Sequence, residues 1–149
     1  MEPAPPFEGV VLCGGRSRRM GRDKALLPLD GVAMARRVAD ALVAAGAVEV
    51  TAVGGDVDGL RRVGLDAVAD REPGEGPFPA TVDALERARH PLVLVVSCDL
   101  VAPSPPAMAQ VVAELLRHPD AQLAVPLDGG HLQWTHAAWR ASAAPALRA

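Results

Sequence analysis

Gly9-Val10-Val11-Leu12-Cys13-Gly14-Gly15-Arg16-Ser17-Arg18-Arg19-Met20-Gly21-Arg22-Asp23-Lys24 joins an apolar run to a glycine-rich, strongly cationic segment. Val10–Cys13 is β-rich and is ended by the Gly14-Gly15 pair, so a strand is expected to run into a loop here. Gly14, Gly15 and Gly21 can take backbone conformations closed to other residues and let amide groups approach a ligand closely. Arg16, Arg18, Arg19, Arg22 and Lys24 add cationic side chains, whose charge-assisted hydrogen bonds to phosphate are short and strong. The segment reads as a loop for a nucleoside triphosphate.

Lys24 is the sole lysine of the chain, which has no Ile, Asn or Tyr and is rich in Ala, Arg, Gly, Pro and Val. GC-rich coding bias is the simplest source of that composition, and it would replace Lys by Arg wherever charge alone matters. A compact ammonium and a planar guanidinium are not equivalent on a phosphate, so the surviving lysine marks a position where arginine would not serve. Neither Gly-Lys-Ser/Thr nor Gly-x-Gly-x-x-Gly occurs, which argues against a Walker A loop and a dinucleotide fingerprint.

Outward from the loop, strands and helices alternate. Val32–Ala45 carries Met34, Val38, Ala41, Leu42 and Ala45 at helical spacing and stops at Gly46. Glu49–Val53 is a second strand closed by Gly54-Gly55, Asp66–Ala69 a weaker third, and a short helix containing Leu60 and Val63 lies between them. Beyond the turn-rich Pro73-Gly74-Glu75-Gly76-Pro77-Phe78-Pro79 a helix is expected over Ala80–Arg89. Leu92–Ser97, continuously apolar until its last residue, is the best strand of the chain. Ser104 as N-cap with Pro105 at the first helical position starts a helix reaching Arg117. Ala121–Leu127 reads as a further strand, and Asp128-Gly129-Gly130 as a hairpin turn. The alternation implies an α/β domain with a mostly parallel sheet, in which ligands sit at the carboxyl ends of the strands.

Composition bounds the rest. The 149 residues fit one domain, and a chain of this size can bury roughly 68–70% of its unfolded surface. A net charge of −3 disfavours a general nucleic-acid binder, so the cations are a local feature. No apolar run is long enough to span a bilayer, and Met1-Glu2-Pro3-Ala4-Pro5-Pro6 does not resemble a secretory leader, so a cytoplasmic protein without membrane contact is expected. Cys13 and Cys98 abut expected strands and read as buried small hydrophobes, not as a disulfide or zinc pair.

Asp99 follows the strand Leu92–Ser97 within Ser97-Cys98-Asp99, which puts a carboxylate on the same sheet edge as the glycine loop. Mg²⁺ takes one or two protein carboxylates and completes its shell with water and phosphate oxygens, so Asp99 is the expected metal ligand. Asp70 ends the third strand on the same rim. No serine has a nucleophile's context, which favours direct displacement at phosphorus helped by Lys24, Arg19, the loop amides and Mg²⁺ on Asp99. His90, His118 and His131 read as surface residues, and His136, near Trp134 and Trp139, as a packed or half-exposed structural residue.

Leu12, Gly14, Gly15, Ser17, Arg19, Met20, Gly21, Asp23 and Lys24 together match L-x-G-G-x-S-x-R-M-G-x-D-K, and on that match the chain resembles the molybdenum cofactor guanylyltransferases. The resemblance implies a three-layer, Rossmann-like nucleotidyltransferase fold. It also implies transfer of GMP from GTP to a molybdopterin-type acceptor with release of pyrophosphate. Leu12, Cys13, Gly14, Gly15, Lys24, Asp70 and Asp99 would then contact the nucleotide, and molybdenum cofactor enzymes or insertion proteins would be partners. Cys13-Gly14-Gly15 stands where related cytidylyltransferases read Ala-Ala-Gly or Ala-Gly, which leans toward guanine. Gly76-Pro77-Phe78 is similar to the family's turn beside the base, with Ala80 replacing a second glycine, and Gln133–Arg140 is similar to the segment bordering the pterin. The family continues past the equivalent of Arg140 with a helix, a strand and a closing segment, so the chain is read as a single domain lacking that part. Transfer to another phosphorylated acceptor, or nucleotide binding without catalysis, are the alternatives.

Overall fold

The computed structural model describes residues 3–14 and 23–148. Strand β1 (Phe7–Leu12) leads to a 3₁₀ turn (Lys24–Leu26) and a small hairpin, β2 (Pro28–Leu29) and β3 (Val32–Ala33). Then come α1 (Met34–Ala44), β4 (Val50–Val53), α2 (Val57–Arg62), β5 (Asp66–Val68), α3 (Pro77–Arg87), β6 (Leu92–Ser97) and α4 (Pro105–Arg117). The described chain closes with β7 (Leu123–Ala124), β8 (Leu127–Asp128), β9 (His131–Leu132), β10 (His136–Arg140), a 3₁₀ turn (Ala141–Ala143) and α5 (Ala144–Arg148).

The main sheet has six strands in the order β5-β4-β1-β6-β10-β7. β5, β4, β1 and β6 run parallel, and β10 is antiparallel to both of its neighbours. Side-chain alternation sorts the central strands onto two faces. Val11, Leu94 and Val96 pack toward α1, α2 and α4, through Leu42, Leu60 and Met108, while Val10, Leu12, Val93 and Val95 pack toward α3 and α5, through Leu85 and Ala144. The result is a three-layer α/β/α domain whose core is built from Val, Leu and Ala. Small residues let the layers close up: a Cβ on Gly9 of β1 would lie 2.9 Å from Cδ1 of Leu42 on α1.

From β1 the chain steps outward through β4 and β5 in one direction, and from β6 it continues in the other. The strand order therefore reverses between β1 and β6, where Leu12 and Ser97 are register partners at the carboxyl ends. Diverging connections leave a crevice at such a point.

Several elements differ from sequence expectation for identifiable reasons. β1 starts at Phe7, three residues before Val10, because Phe7 and Glu8 find partners in Leu92 and Val93. Helix α3 starts at Pro77, inside the stretch read as a turn, since a proline is compatible with the first helical turn and Gly76, at φ 83°, supplies the change of direction. The strand expected over Ala121–Leu127 is reduced to Leu123–Ala124, and Leu127 belongs instead to the β8–β9 hairpin beyond Pro126. The expected turn there is present, with Gly129 and Gly130 both at positive φ. His136–Arg140 is a central strand that the sequence reading did not identify as one. His90 is not a free surface residue, because Nδ1 lies 2.7 Å from Glu8 Oε2.

Gly54 tests how tightly the switch point is built. It has φ 83°, and an added Cβ would meet the backbone N and Cα of Gly14 at 2.9 and 3.0 Å. Gly54→Ala combines left-handed strain with a clash against main chain, which together cost about 2 kcal/mol or more. A melting scan is expected to show Tm lowered by about 4 °C or more for a domain of this size.

Candidate active site

Three strands bring the described part of the glycine loop to the crevice. Cys13 N–H donates to the Val53 carbonyl at 2.8 Å and Cys98 N–H to the Leu12 carbonyl at 3.1 Å, so the ends of β1, β4 and β6 are laced together just before the side chains of interest. Gly14 follows at once, close to Gly54 and to the Asp70 carboxylate.

Lys24 is placed by a local device. The Asp23 side chain accepts from Ala25 N at 3.0 Å, capping the 3₁₀ turn that carries the lysine, and its other oxygen accepts from Asp56 N at 2.7 Å. Both Asp23 oxygens are thus committed to main-chain amides, and the carboxylate positions Lys24 from behind. Gly55 is required at the same spot, where a Cβ would lie 2.8 Å from Asp23 Oδ2. Lys24 Nζ then stands 3.8 Å from Asp99 Oδ2, with the two side chains 45% and 50% exposed. The other Asp99 oxygen accepts from Ser97 Oγ at 2.6 Å, which orients the carboxylate while leaving it open to solvent.

Two adjoining cavities occupy the crevice. One, of about 230 Å³, has Cys13, Asp23, Lys24, Gly55, Cys98 and Asp99 in its wall. The other, of about 310 Å³, is lined by Val53, Gly76, Pro77, Ala80 and Thr135 among others. Leu12, Gly14, Asp70, Gly74 and Ser97 belong to both walls. A third cavity of about 580 Å³ lies between α4 and the β8–β9 hairpin and includes Gln133 and His136, and Thr135 is common to it and the second.

The residues singled out from sequence therefore meet: Leu12, Cys13, Gly14, Lys24, Asp70 and Asp99 all line the first cavity. Gly15 and Arg19, with Arg16, Ser17, Arg18, Met20, Gly21 and Arg22, lie outside the described residues. Sequence reasoning did not single out Ser97 and Thr135, or the supporting role of Asp23. The serine in Ser97-Cys98-Asp99 was the available signal for the first, and Asp23, two residues before Ala25, has the spacing of an Asx turn.

Electrostatics separate the titratable groups of the crevice. Cys13 and Cys98 share one hydrogen bond that raises the thiol of Cys13 and lowers that of Cys98, and both side chains are buried in the crevice wall. Both cysteines are free and buried. Burial lowers the pKa of His136, which favours a neutral imidazole. Among the described residues, Glu8, Glu49 and His90 form a group with metal-competent atoms within 4.8 Å of one another. That group sits at the amino edge of the sheet, opposite the crevice, and Arg89 is already ion-paired with Glu49 at 3.1 Å. No described helix is long and apolar enough to cross a membrane.

Comparison with known proteins places this geometry in a family context. A family model described as the MobA-like NTP transferase domain matches residues 9–149. A probable molybdenum cofactor guanylyltransferase of Pelotomaculum thermopropionicum is 42% identical over 125 residues, covering 84% of this chain and 59% of the relative. One from Mycobacterium tuberculosis is 36% identical over 133 residues, covering 83% and 63%. The chain thus spans about three fifths of the length of these curated relatives. Among solved structures, molybdopterin-guanine dinucleotide biosynthesis protein A of Archaeoglobus fulgidus superposes with a TM-score of 0.69 at 19% identity, covering 95% of this chain and 71% of that one. At that identity the likeness speaks for the fold.

Proposed function

The chain belongs to the MobA-like NTP transferase family, and from that premise we propose that it transfers GMP from GTP to a molybdopterin-type acceptor and releases pyrophosphate. The observation that carries the proposal is the approach of Lys24 to Asp99, 3.8 Å apart in the wall of a cavity at the strand-order reversal. A lone cation or a lone carboxylate at a strand end has many uses. Together, beside glycine backbone and open to solvent, they suit a triphosphate with its counter-ion.

In this reading the nucleoside lies in the cavity bounded by Asp70, Gly76 and Thr135, and the phosphates pass Gly14 toward Lys24. Asp99, oriented by Ser97, has the donor type and exposure that a divalent cation takes, and such a cation supplies charge neutralisation on phosphate oxygens when bound. Lys24 presents a compact positive charge to the departing pyrophosphate, and Asp23 keeps it in place. Ser97 holds the Asp99 carboxylate in one orientation, so the site need not reorganise as charge moves. The acceptor enters through the third cavity, where Gln133 and neutral His136 offer hydrogen bonds beside apolar walls and Thr135 joins the two compartments. A cytoplasmic location and contact with molybdenum cofactor enzymes belong to the same proposal.

Incubation with molybdopterin, Mg²⁺ and either GTP or CTP tests it, with pyrophosphate release as the readout and GTP expected to be preferred. Turnover with a different phosphorylated acceptor alone would replace the acceptor assignment, and a folded protein with no release at all would refute the enzyme. Binding is testable separately: GTP with Mg²⁺ at about 100 times its Kd stabilises a folded protein by about 2.7 kcal/mol. That corresponds to Tm raised by about 5–10 °C in a domain of this size.

A further inference from the structure

Asp83 is 3% exposed yet carries a charge, and it lies outside the cavities described above. It sits on α3 facing two guanidinium groups at ion-pair distance: Arg87 approaches Oδ2 at 2.9 Å from one turn further along the helix, and Arg71 approaches Oδ1 at 2.9 Å as a charge contact that lacks hydrogen-bond alignment. A buried carboxylate requires a partner, since an unpaired charge in that position is strongly destabilising. Arg87, on the same helix, already meets that requirement. Arg71 is a second partner contributed by a different part of the chain.

That part is the loop between β5 and α3. Asp70, Gly74, Gly76 and Pro77 line the cavity assigned to the nucleoside, and Asp70 Oδ2 lies 3.5 Å from where a Cβ on Gly14 would be. The loop has few internal ties: Glu72 N donates to Asp70 Oδ1 at 2.9 Å and Glu75 N to the Glu72 carbonyl at 3.3 Å, while Gly74 and Gly76 both have positive φ. A segment with so few backbone bonds to the described residues takes its position from its anchors. Arg71 provides one on Asp83. Arg148 of α5 provides a weaker one, pairing with Glu86 on α3 and standing 4.0 Å from Glu72.

We propose that Asp83 is a positioning residue for the nucleotide cavity, which through Arg71 holds the 70–76 loop where Asp70 and the loop glycines complete the wall. The proposal rests on the nucleotide-site reading above. It predicts that cutting the tie weakens nucleotide binding and leaves the chemical step nearly unchanged, because Lys24 and Asp99 are positioned by Asp23 and Ser97, outside this loop, even though Asp70 and Gly74 also line their cavity.

The experiment compares Arg71→Ala, Arg71→Lys, Asp83→Asn and the control Arg89→Ala, which removes an exposed ion pair at the opposite edge of the sheet. Three quantities are read: the Kd of GTP with Mg²⁺, KM and kcat from pyrophosphate release, and amide exchange across residues 70–76 without nucleotide. Arg71→Ala and Asp83→Asn are expected to raise Kd and KM by about five- to thirtyfold, with kcat held within about twofold. Exchange of the loop amides accelerates in both variants, Arg71→Lys recovers part of the loss, and Arg89→Ala changes none of the three. Unchanged Kd and loop exchange in Arg71→Ala, or a fall in kcat at constant KM, would overturn the proposal. If Asp83→Asn does not fold, Arg71→Ala decides alone, since its side chain is 63% exposed. If the unsubstituted protein neither binds nor turns over GTP, the nucleotide-site reading has failed, and loop exchange still reports whether Arg71 and Asp83 order the loop.

Discussion

Asp99→Asn is expected to lower kcat for pyrophosphate release by about 10³-fold or more, the scale on which metal and cation clamps act in phosphoryl transfer. The substitution keeps the size of the side chain and an oxygen for the Ser97 hydroxyl, and removes the charge. Because the Asp99 side chain is 50% exposed and its pairing with Lys24 is at 3.8 Å, stability should hardly change: exposed ion pairs contribute about 0–1 kcal/mol. A far-ultraviolet spectrum and Tm close to those of the unsubstituted protein, together with the loss of turnover, would place the effect in chemistry. Retention of more than about a tenth of kcat would contradict the role given to Asp99.

Lys24→Ala is the second large effect, with kcat reduced by about 10²–10³-fold, as for other preorganised groups that meet developing charge. Lys24→Arg is the more discriminating substitution. It preserves charge in a chain that otherwise uses arginine for every fixed cation, so recovery of activity would mean that charge alone suffices. The expected outcome is little recovery, because a guanidinium fork is larger and differently hydrated than an ammonium held 3.8 Å from a carboxylate. Pyrophosphate release at saturating GTP measures it directly, and near-complete rescue by arginine would remove the special status of Lys24.

Much of this arrangement was legible from the chain itself. Leu92–Ser97 could be identified because continuous apolar residues of strand length suit a strand covered on both faces, and helix α4 because Ser104 caps it, its Oγ accepting from Ala107 N at 3.3 Å. Alternating strands and helices implied parallel pairing, and parallel pairing brought the loop after β1 and the carboxylate after β6 to one edge. The convergence of Lys24 and Asp99 follows from that topology.

What escaped the reading depended on partners distant in the chain. β10 reads His136-Ala137-Ala138-Trp139-Arg140, without the β-branched residues that mark a strand, and it is a strand because it pairs along its length with β6 and, at Ala138 and Trp139, with β7 as well. Small side chains carry little propensity of their own, and burial by neighbours decides their state. Arg71 and Asp83 are ordinary charges twelve positions apart until α3 folds back and buries the aspartate. Pro77 suggested an interruption and is instead a helix start, since proline is suitable for either and only the packing of Ala80, Ala84 and Leu85 distinguishes them.

A triphosphate and its metal are assigned to the crevice between the carboxyl ends of β1 and β6. A crystal structure with a non-hydrolysable GTP analogue and Mn²⁺, using anomalous scattering to locate the ion, tests this most directly. Mn²⁺ is expected on the Asp99 carboxylate, with the phosphates beside Gly14 and Lys24 and the base between Asp70 and Thr135. An ordered nucleotide elsewhere, or Mn²⁺ on Glu8, Glu49 and His90 with Asp99 making no contact to metal or phosphate, would contradict it.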